Sequence, residues 1–432
     1  MKRVVWSELS ETEQGEALAR ASSTSSPELV SGVSSIIERV RKDGDTALRE
    51  LTQQLDGIAE PVLKADQADF LAAKDSLDPE VSQALDQAIS RVEEFHAACQ
   101  GSDVGCDVGG VRCERVIRPI QTVGLYVPAG SAPLPSTTVM LGVPARLAGC
   151  PRVVLCSPPG PDGKVNATVL AAAERLGISE VFAVGGAQAI AAMAYGTQSV
   201  PRCDKLFGPG NAWVTQAKQQ VSQDAGGASI DMPAGPSEVM VVADASSNPV
   251  FVASDLLSQA EHGPDSHVVL VALDESTVTA TEAALEEQLA RLPRAEVARQ
   301  ALSHSVSVVV SSREQALEVV NAYAAEHLIL QVDAPRNLLA GVNTAGSVFL
   351  GAYTPESLGD YCSGTNHVLP TYGFARAYSG VSVDSFQIRM TVQEASQQGL
   401  QAIGPIAITL ARVEGLEAHA QAVALRLETL AS

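Results

Sequence analysis

Three short runs, Val123-Gly-Leu-Tyr-Val127, Arg152-Val-Val-Leu-Cys156 and Glu180-Val-Phe-Ala-Val184, are almost continuously apolar, and stretches of helical character lie near 136–149, 166–176 and 187–195. A strand with one face in water alternates polar and apolar residues, whereas a strand covered on both faces does not. Runs of the second kind alternating with helices predict βαβ units and a parallel sheet between helical layers. A second set of such strands follows at 238–242, 267–272, 306–310, 328–332 and 347–350, again with helices between. The reading is therefore α/β, with two Rossmann-like but incomplete parallel-sheet domains and small helical N- and C-terminal pieces. Pro and Gly punctuation at Gly208-Pro-Gly210 and Pro233-Ala-Gly-Pro236 marks the expected hinge between the two sheets.

Outside these sets the apolar residues recur with helical period. Val33, Ile36, Ile37 and Val40 form one stripe, and Val81, Leu85, Ile89 and Val92 form another. After Gly380 helices are expected from about 392 to 411 and from 415 to 430. The length of 432 residues exceeds one compact core. A formal charge of -21 opposes binding to a phosphate backbone, which requires clustered Lys and Arg. No apolar run reaches the ~20 residues that cross a bilayer, and the polar, acidic start has no apolar signal core. A cytoplasmic location is the expectation. The seven cysteines show no two-residue metal or redox spacing. Cys150 or Cys156 offers a thiol that could attack an aldehyde, but the strand pattern around Cys156 favours burial as a small hydrophobe.

Several polar groups sit where chemistry is possible. Asn248-Pro249 opens a well-delimited helix and Gly263-Pro264 stops it. Asp255, Gln259 and His262 share one face of that helix. His262 also suits the negative end of the helix dipole, and Asp255 is as good a partner for it as Gln259. Glu326 and His327 close a helix expected over 314–326, at the mouth of a buried strand. A glycine-rich segment read as a loop carries Glu356, Asp360 and His367. His419 flanks the stripe Leu416, Ala420, Val423 and Leu427, with Glu414 near the helix start. The dinucleotide glycine fingerprint is absent, although Val184-Gly-Gly-Ala-Gln188 and Phe207-Gly-Pro-Gly-Asn211 place backbone N–H groups at helix starts.

Together Val184-Gly-Gly-Ala-Gln188, Phe207-Gly-Pro-Gly-Asn211, Asp231-Met-Pro-Ala-Gly-Pro-Ser-Glu238, Leu257-Ser-Gln-Ala-Glu-His-Gly-Pro264, Glu326-His327 and Gly364-Thr-Asn-His367 resemble the histidinol dehydrogenase family along essentially the whole chain. The resemblance implies oxidation of L-histidinol through L-histidinal to L-histidine, at the end of histidine biosynthesis, with NAD as acceptor and Zn²⁺ as metal. It implies zinc ligands Gln259, His262, Asp360 and His419, the last from the partner subunit of a homodimer. Substrate contacts would come from Ser237, Gln259, His262, His327, Asp360, His367, Glu414 and His419, and NAD contacts from Tyr126, Gln188 and Asn211. Glu326 and His327 would be the catalytic bases. The implied division is an N-terminal helical arm (1–25), a larger α/β domain (26–125 and 237–380), a Rossmann-like NAD-binding domain (126–236) and a C-terminal helical domain (381–432) reaching the partner's site. From residue chemistry alone, a zinc hydrolase and a non-enzymatic two-domain binding protein are the rival readings.

Overall fold

The computed structural model describes residues 1–20, 26–129, 133–233 and 235–431. Two parallel sheets carry it. The larger has six strands in the order Lys2–Val5, Val306–Val309, His267–Ala272, Glu238–Ala243, His327–Gln331 and Ser347–Leu350, every neighbour parallel. The smaller has five, in the order Glu180–Ala183, Arg152–Ser157, Thr122–Tyr126, Lys205–Phe207 and Ser229–Ile230, also all parallel. All six residues of Glu238–Ala243 and of His267–Ala272 are buried, so even their polar members have no water-facing side. Helices on both faces cause this, and it is why those strands do not alternate.

The apolar stripes of the N-terminal helices find their partners across the smaller sheet. Val33, Ile37 and Val40 of Pro27–Asp43 pack with Val154, Phe182 and Ile190 on one face. Leu85, Ile89 and Val92 of Pro79–Ala98 pack with Val123, Leu125, Met140 and Leu155 on the other. The expected division placed residues 26–125 with the larger domain, and the packing differs. Periodicity identifies a buried face but not the surface that buries it. The expected helical arm differs as well, because it opens with the strand Lys2–Val5, which pairs with Val306–Val309 at the edge of the larger sheet. Only Glu11–Ala17 of it is α-helix, capped by Ser10 and Glu13, and 21–25 lie outside the described residues.

A third sheet, antiparallel, has the order Gln387–Ala395, Val111–Pro119, Val104–Val108. Its first strand occupies residues where a helix was expected to begin near 392, and its other two lie in a stretch without apolar period. Nine residue pairs along Gln387–Ala395 and Val111–Pro119 hold it, a long-range pairing that no local window contains. The helical pair Gln397–Val413 and Glu417–Ala431 follows. No helix among the described residues is long and apolar enough to cross a membrane.

Candidate active site

The helix Pro249–Ala260 is capped by Asn248, whose side chain accepts the N–H of Val250 at 3.0 Å, and Pro249 fills the first turn. Its buried face, Val252, Leu256 and Ala260, anchors it on the larger sheet. Gln259 lies in the last turn, and His262 falls just beyond the helix end. Asp255 on the same face is engaged elsewhere, accepting from Gln331 Nε2 at 2.6 Å.

Residues 356–361, expected as loop, form the short helix Glu356–Tyr361. Glu356 and Asp360 are four apart and share a face. Each offers a carboxylate oxygen within 4.8 Å of an imidazole nitrogen of His262. Glu356 is held by Ser258, whose hydroxyl donates to its Oε1 at 3.1 Å. The spacing Glu356-x-x-x-Asp360 was a legible signal, lost because the segment's glycines suggested a loop.

The helix expected over 314–326 ends earlier, at Tyr323, with Ala324 in the left-handed region at φ +56°. That turn sends Glu326 into the connection and makes His327 the first residue of His327–Gln331. The Glu326 carboxylate accepts the backbone N–H of Glu238 at 2.8 Å, and His327 Nδ1 donates to the Glu238 carbonyl at 3.1 Å. A carbonyl only accepts, so the proton is on Nδ1 and Nε2 faces the cleft. There it stands 3.6 Å from Asp360 Oδ1. His367 joins from the following segment, its Nδ1 2.8 Å from the Asp360 carbonyl and its Nε2 3.4 Å from Thr137 Oγ1. Thr137 belongs to the helix Pro135–Ala148 beside the smaller sheet, so His367 ties the cluster to the other half of the molecule. Ser237 precedes Glu238 at the same sheet edge.

Glu238 and His327 are first residues of their strands, so the cluster lies at the amino ends of the larger sheet. Ligand crevices in open α/β sheets are usually at carboxyl ends. Three further expected residues lie at the carboxyl end of the smaller sheet: Tyr126 ends its strand, and Gln188 and Asn211 follow strands at the same edge. Tyr126 is buried, and its hydroxyl accepts the Gly186 N–H at 3.0 Å, fixing the start of the helix Gly186–Tyr195. Asn211 is exposed and caps Ala212–Gln223 by accepting from Trp213 and Val214, each at 3.1 Å. Gln188 is buried.

Electrostatically the cluster holds more carboxylates than cations. Burial pushes Glu326 up to about 8 and Glu356 also up to about 8. Burial opposes the His327 cation, but Glu326, Asp360 and Glu356 outweigh it and raise the imidazole to about 10. Burial opposes the Asp360 carboxylate, but the His327 imidazole 3.6 Å away outweighs it and lowers Asp360. His262 stands open to the cleft, yet surrounding protein still lowers it by desolvation, as burial lowers His367. In and beside the cluster, three buried side-chain atoms have no hydrogen-bond partner among the described residues: Gln259 Nε2, His327 Nε2 and Glu356 Oε2. Buried polar groups are normally satisfied. A carboxylate-rich pocket with unsatisfied side chains fits a divalent cation held by oxygen and imidazole donors.

Two expected site residues, the substrate contact Glu414 and the metal ligand His419, are not in this cluster. Glu414 and His419 are exposed on the C-terminal helical pair, and among the described residues no hydrogen bond or ion pair joins either side chain to the cleft. Neither Cys150 nor Cys156 is poised as a nucleophile: burial pushes the Cys150 thiol up to about 11 and Cys156 far above its ordinary value.

Fold and cleft define an α/β protein with a paired Glu and His beside a group of side chains that could hold a metal ion. A family model described as histidinol dehydrogenase matches residues 19–427, and the chain belongs to that family. A histidinol dehydrogenase of Xanthomonas euvesicatoria pv. vesicatoria is 56% identical over 428 residues, covering 99% of each chain. That of Vibrio parahaemolyticus is 50% identical over 431 residues, covering 100% of this chain and 99% of its own. The crystal structure of histidinol dehydrogenase from Elizabethkingia anophelis superposes with a TM-score of 0.96 at 43% identity, over 100% of this chain and 99% of that one.

Proposed function

We propose that this chain oxidises L-histidinol through L-histidinal to L-histidine in the cytoplasm, with NAD as acceptor, zinc as metal and a homodimer as the working unit. The observation that carries the reading is the convergence of His262, Asp360 and the oriented His327 on one cleft in a chain of this family. Gln259, His262 and Asp360 would hold zinc, with His419 arriving from the partner subunit, and Glu356 adds a further carboxylate to the same group. Zinc has no redox chemistry and supplies positive charge and coordination for the substrate's nitrogens. NAD accepts the hydride of each step. Tyr126, Gln188 and Asn211, at the carboxyl edge of the smaller sheet, are the residues proposed to face it.

His327 is the proton acceptor through Nε2, once the carboxylate charge around it is neutralised. Its Nδ1–H bond to the Glu238 carbonyl keeps that lone pair turned to the cleft. Glu326, held by the Glu238 N–H, takes the proton from the water that adds to the aldehyde. Burial holds the Glu326 carboxyl above the ordinary carboxylate range, which makes its ionised form a stronger base for that step. The proton that His327 gained in the first step passes to the aldehyde oxygen as water adds, giving the neutral gem-diol, so Nε2 is free to accept the proton of the second hydride step. Ser237, His367 and Glu414, the last from the partner with His419, complete the proposed substrate contacts.

The dimer has its own support. The C-terminal helices leave Ile406, Leu410 and Val413 exposed, Val413 at 81%. An apolar face of this kind on a helical pair marks an interaction surface, and the same helical pair carries Glu414 and His419. The test is to mix the purified protein with histidinol and NAD, with and without a zinc chelator, and count NADH per histidinol consumed. Two NADH and chelator-sensitive turnover are expected; one NADH, or turnover indifferent to chelation, overturns the reading.

A further inference from the structure

We infer that Arg20, 218 residues from Glu238 in sequence, is a positioning residue for the catalytic pair. Both members of that pair depend on one residue's backbone. The N–H of Glu238 holds the Glu326 carboxylate at 2.8 Å, and its carbonyl holds His327 Nδ1 at 3.1 Å. Whatever fixes Glu238 therefore fixes the acid–base geometry.

The Glu238 side chain is 1% exposed and carries a carboxylate into the protein. Arg20 grips it with both arms of its guanidinium: Nε donates to Oε1, and Nη2 donates to Oε2 at 2.8 Å. The N–H of Tyr372 donates to Oε1 at 2.7 Å. Arg20 Nη2 also donates to the Tyr323 carbonyl at 2.9 Å, and its guanidinium carbon lies 3.9 Å from the Tyr323 ring centroid. Tyr323 is the last residue of the helix whose end launches Glu326 and His327. One guanidinium thus joins the strand start that orients the pair to the helix end that delivers it.

Strain on both sides of this contact argues in the same direction. Ala324, immediately after Tyr323, has φ +56°, and Tyr372 has φ +55°. Left-handed conformations of residues with side chains cost about 1–3 kcal/mol and persist where surrounding contacts over-determine them. Here the surrounding contacts are those of Arg20 and Glu238. For stability alone an apolar pair would serve as well as a buried ion pair. A planar fork that binds a carboxylate bidentately, stacks on a ring and still reaches a carbonyl is a geometric device, and lysine cannot replace it.

The inference rests on the reading of Glu326 and His327 as the proton-transfer groups. The test uses the full-length, zinc-loaded dimer and the variants Arg20→Lys and Arg20→Ala, with zinc content and thermal midpoint measured alongside kinetics. In Arg20→Lys, kcat per zinc-loaded subunit should fall about tenfold or more, while KM for histidinol stays within roughly threefold. Oxidation of histidinol and of histidinal should fall together, because both bases lose their support, and Arg20→Ala should be worse than Arg20→Lys. A kcat per zinc-loaded subunit within about twofold of the parent in Arg20→Lys overturns the proposal, whatever the change in thermal midpoint. If Arg20→Ala does not fold, Arg20→Lys decides alone. A parent enzyme inactive on histidinol refutes the proposed function instead, so the two failures are distinct.

Discussion

Protonation of His267 should govern part of the acid stability of this protein. The ring is buried on the strand His267–Ala272, with Nδ1 2.7 Å from the Tyr323 hydroxyl and Nε2 3.2 Å from the His304 carbonyl. Burial, then the charge of Arg20 and the neighbouring His304, lowers its pKa from the ordinary 6.5 to about 4. A folded value below the unfolded one means that the native state resists the proton. Stability is then fully present above pH 6.5 and is lost as pH falls toward 4. With those two values, linkage gives a loss of about 2.4 kcal/mol between pH 7 and pH 4.5. Unfolding entropy near 2.1 cal/mol/K per residue converts this to a midpoint shift on the order of 3 °C for a chain of 432 residues. The assay is thermal unfolding of the parent and His267→Gln at the two pH values. His267→Gln starts lower, having lost the Tyr323 contact, but its midpoint should fall less on acidification by about that amount. Parallel pH dependences in the two proteins would refute the assignment, since another group would then carry the acid loss.

Four further outcomes follow from the cleft and its surroundings. Glu326→Gln should slow histidinal oxidation by about a hundredfold and histidinol oxidation by much less; equal losses with the two substrates would remove its water-activating role. Glu356→Gln should weaken zinc binding by roughly 10–100-fold in a chelator competition, and an unchanged affinity would show that this carboxylate does not act on the ion; the same assay on Gln259→Ala tests the proposed amide ligand. His419→Asn should lower zinc occupancy by elemental analysis, and a fully metallated variant would take His419 out of the ligand set. Leu410→Asp places a charge on the exposed apolar face of the C-terminal helices, so sedimentation at micromolar concentration should show monomer; an intact dimer would place the interface elsewhere.

Much of the architecture was legible before any coordinates. The near-continuous apolar runs at 123–127, 152–156, 180–184 and 238–242 fall on strands buried from both sides. The Asn248-Pro249 start and Gly263-Pro264 stop bracket the helix Pro249–Ala260. Capping and burial act within a few residues, so a sequence window contains their causes. Pairing does not act locally. Lys2–Val5 is a strand because Val306–Val309 offers an edge, and Gln387–Ala395 is one because Val111–Pro119 lies beside it.

At the site the same boundary holds. Residue types and motifs named Gln259, His262, Glu326, His327, Asp360 and His367, because metal binding and proton transfer need those side chains and the family's motifs carry them. Spacing alone left Asp255 and Gln259 equal; the family's motif chose Gln259, and packing engages Asp255 with Gln331. Glu356 enters because its segment folds as one turn of helix toward His262. That the bases hang from the two backbone groups of Glu238, and Glu238 from Arg20, no periodicity could indicate. The sequence by itself determined which chemistry is available and which segments are buried, since both depend on residue type and neighbours along the chain. The tertiary structure decided which groups meet, because contacts between residues hundreds of positions apart are set by how the two sheets and their covering helices pack.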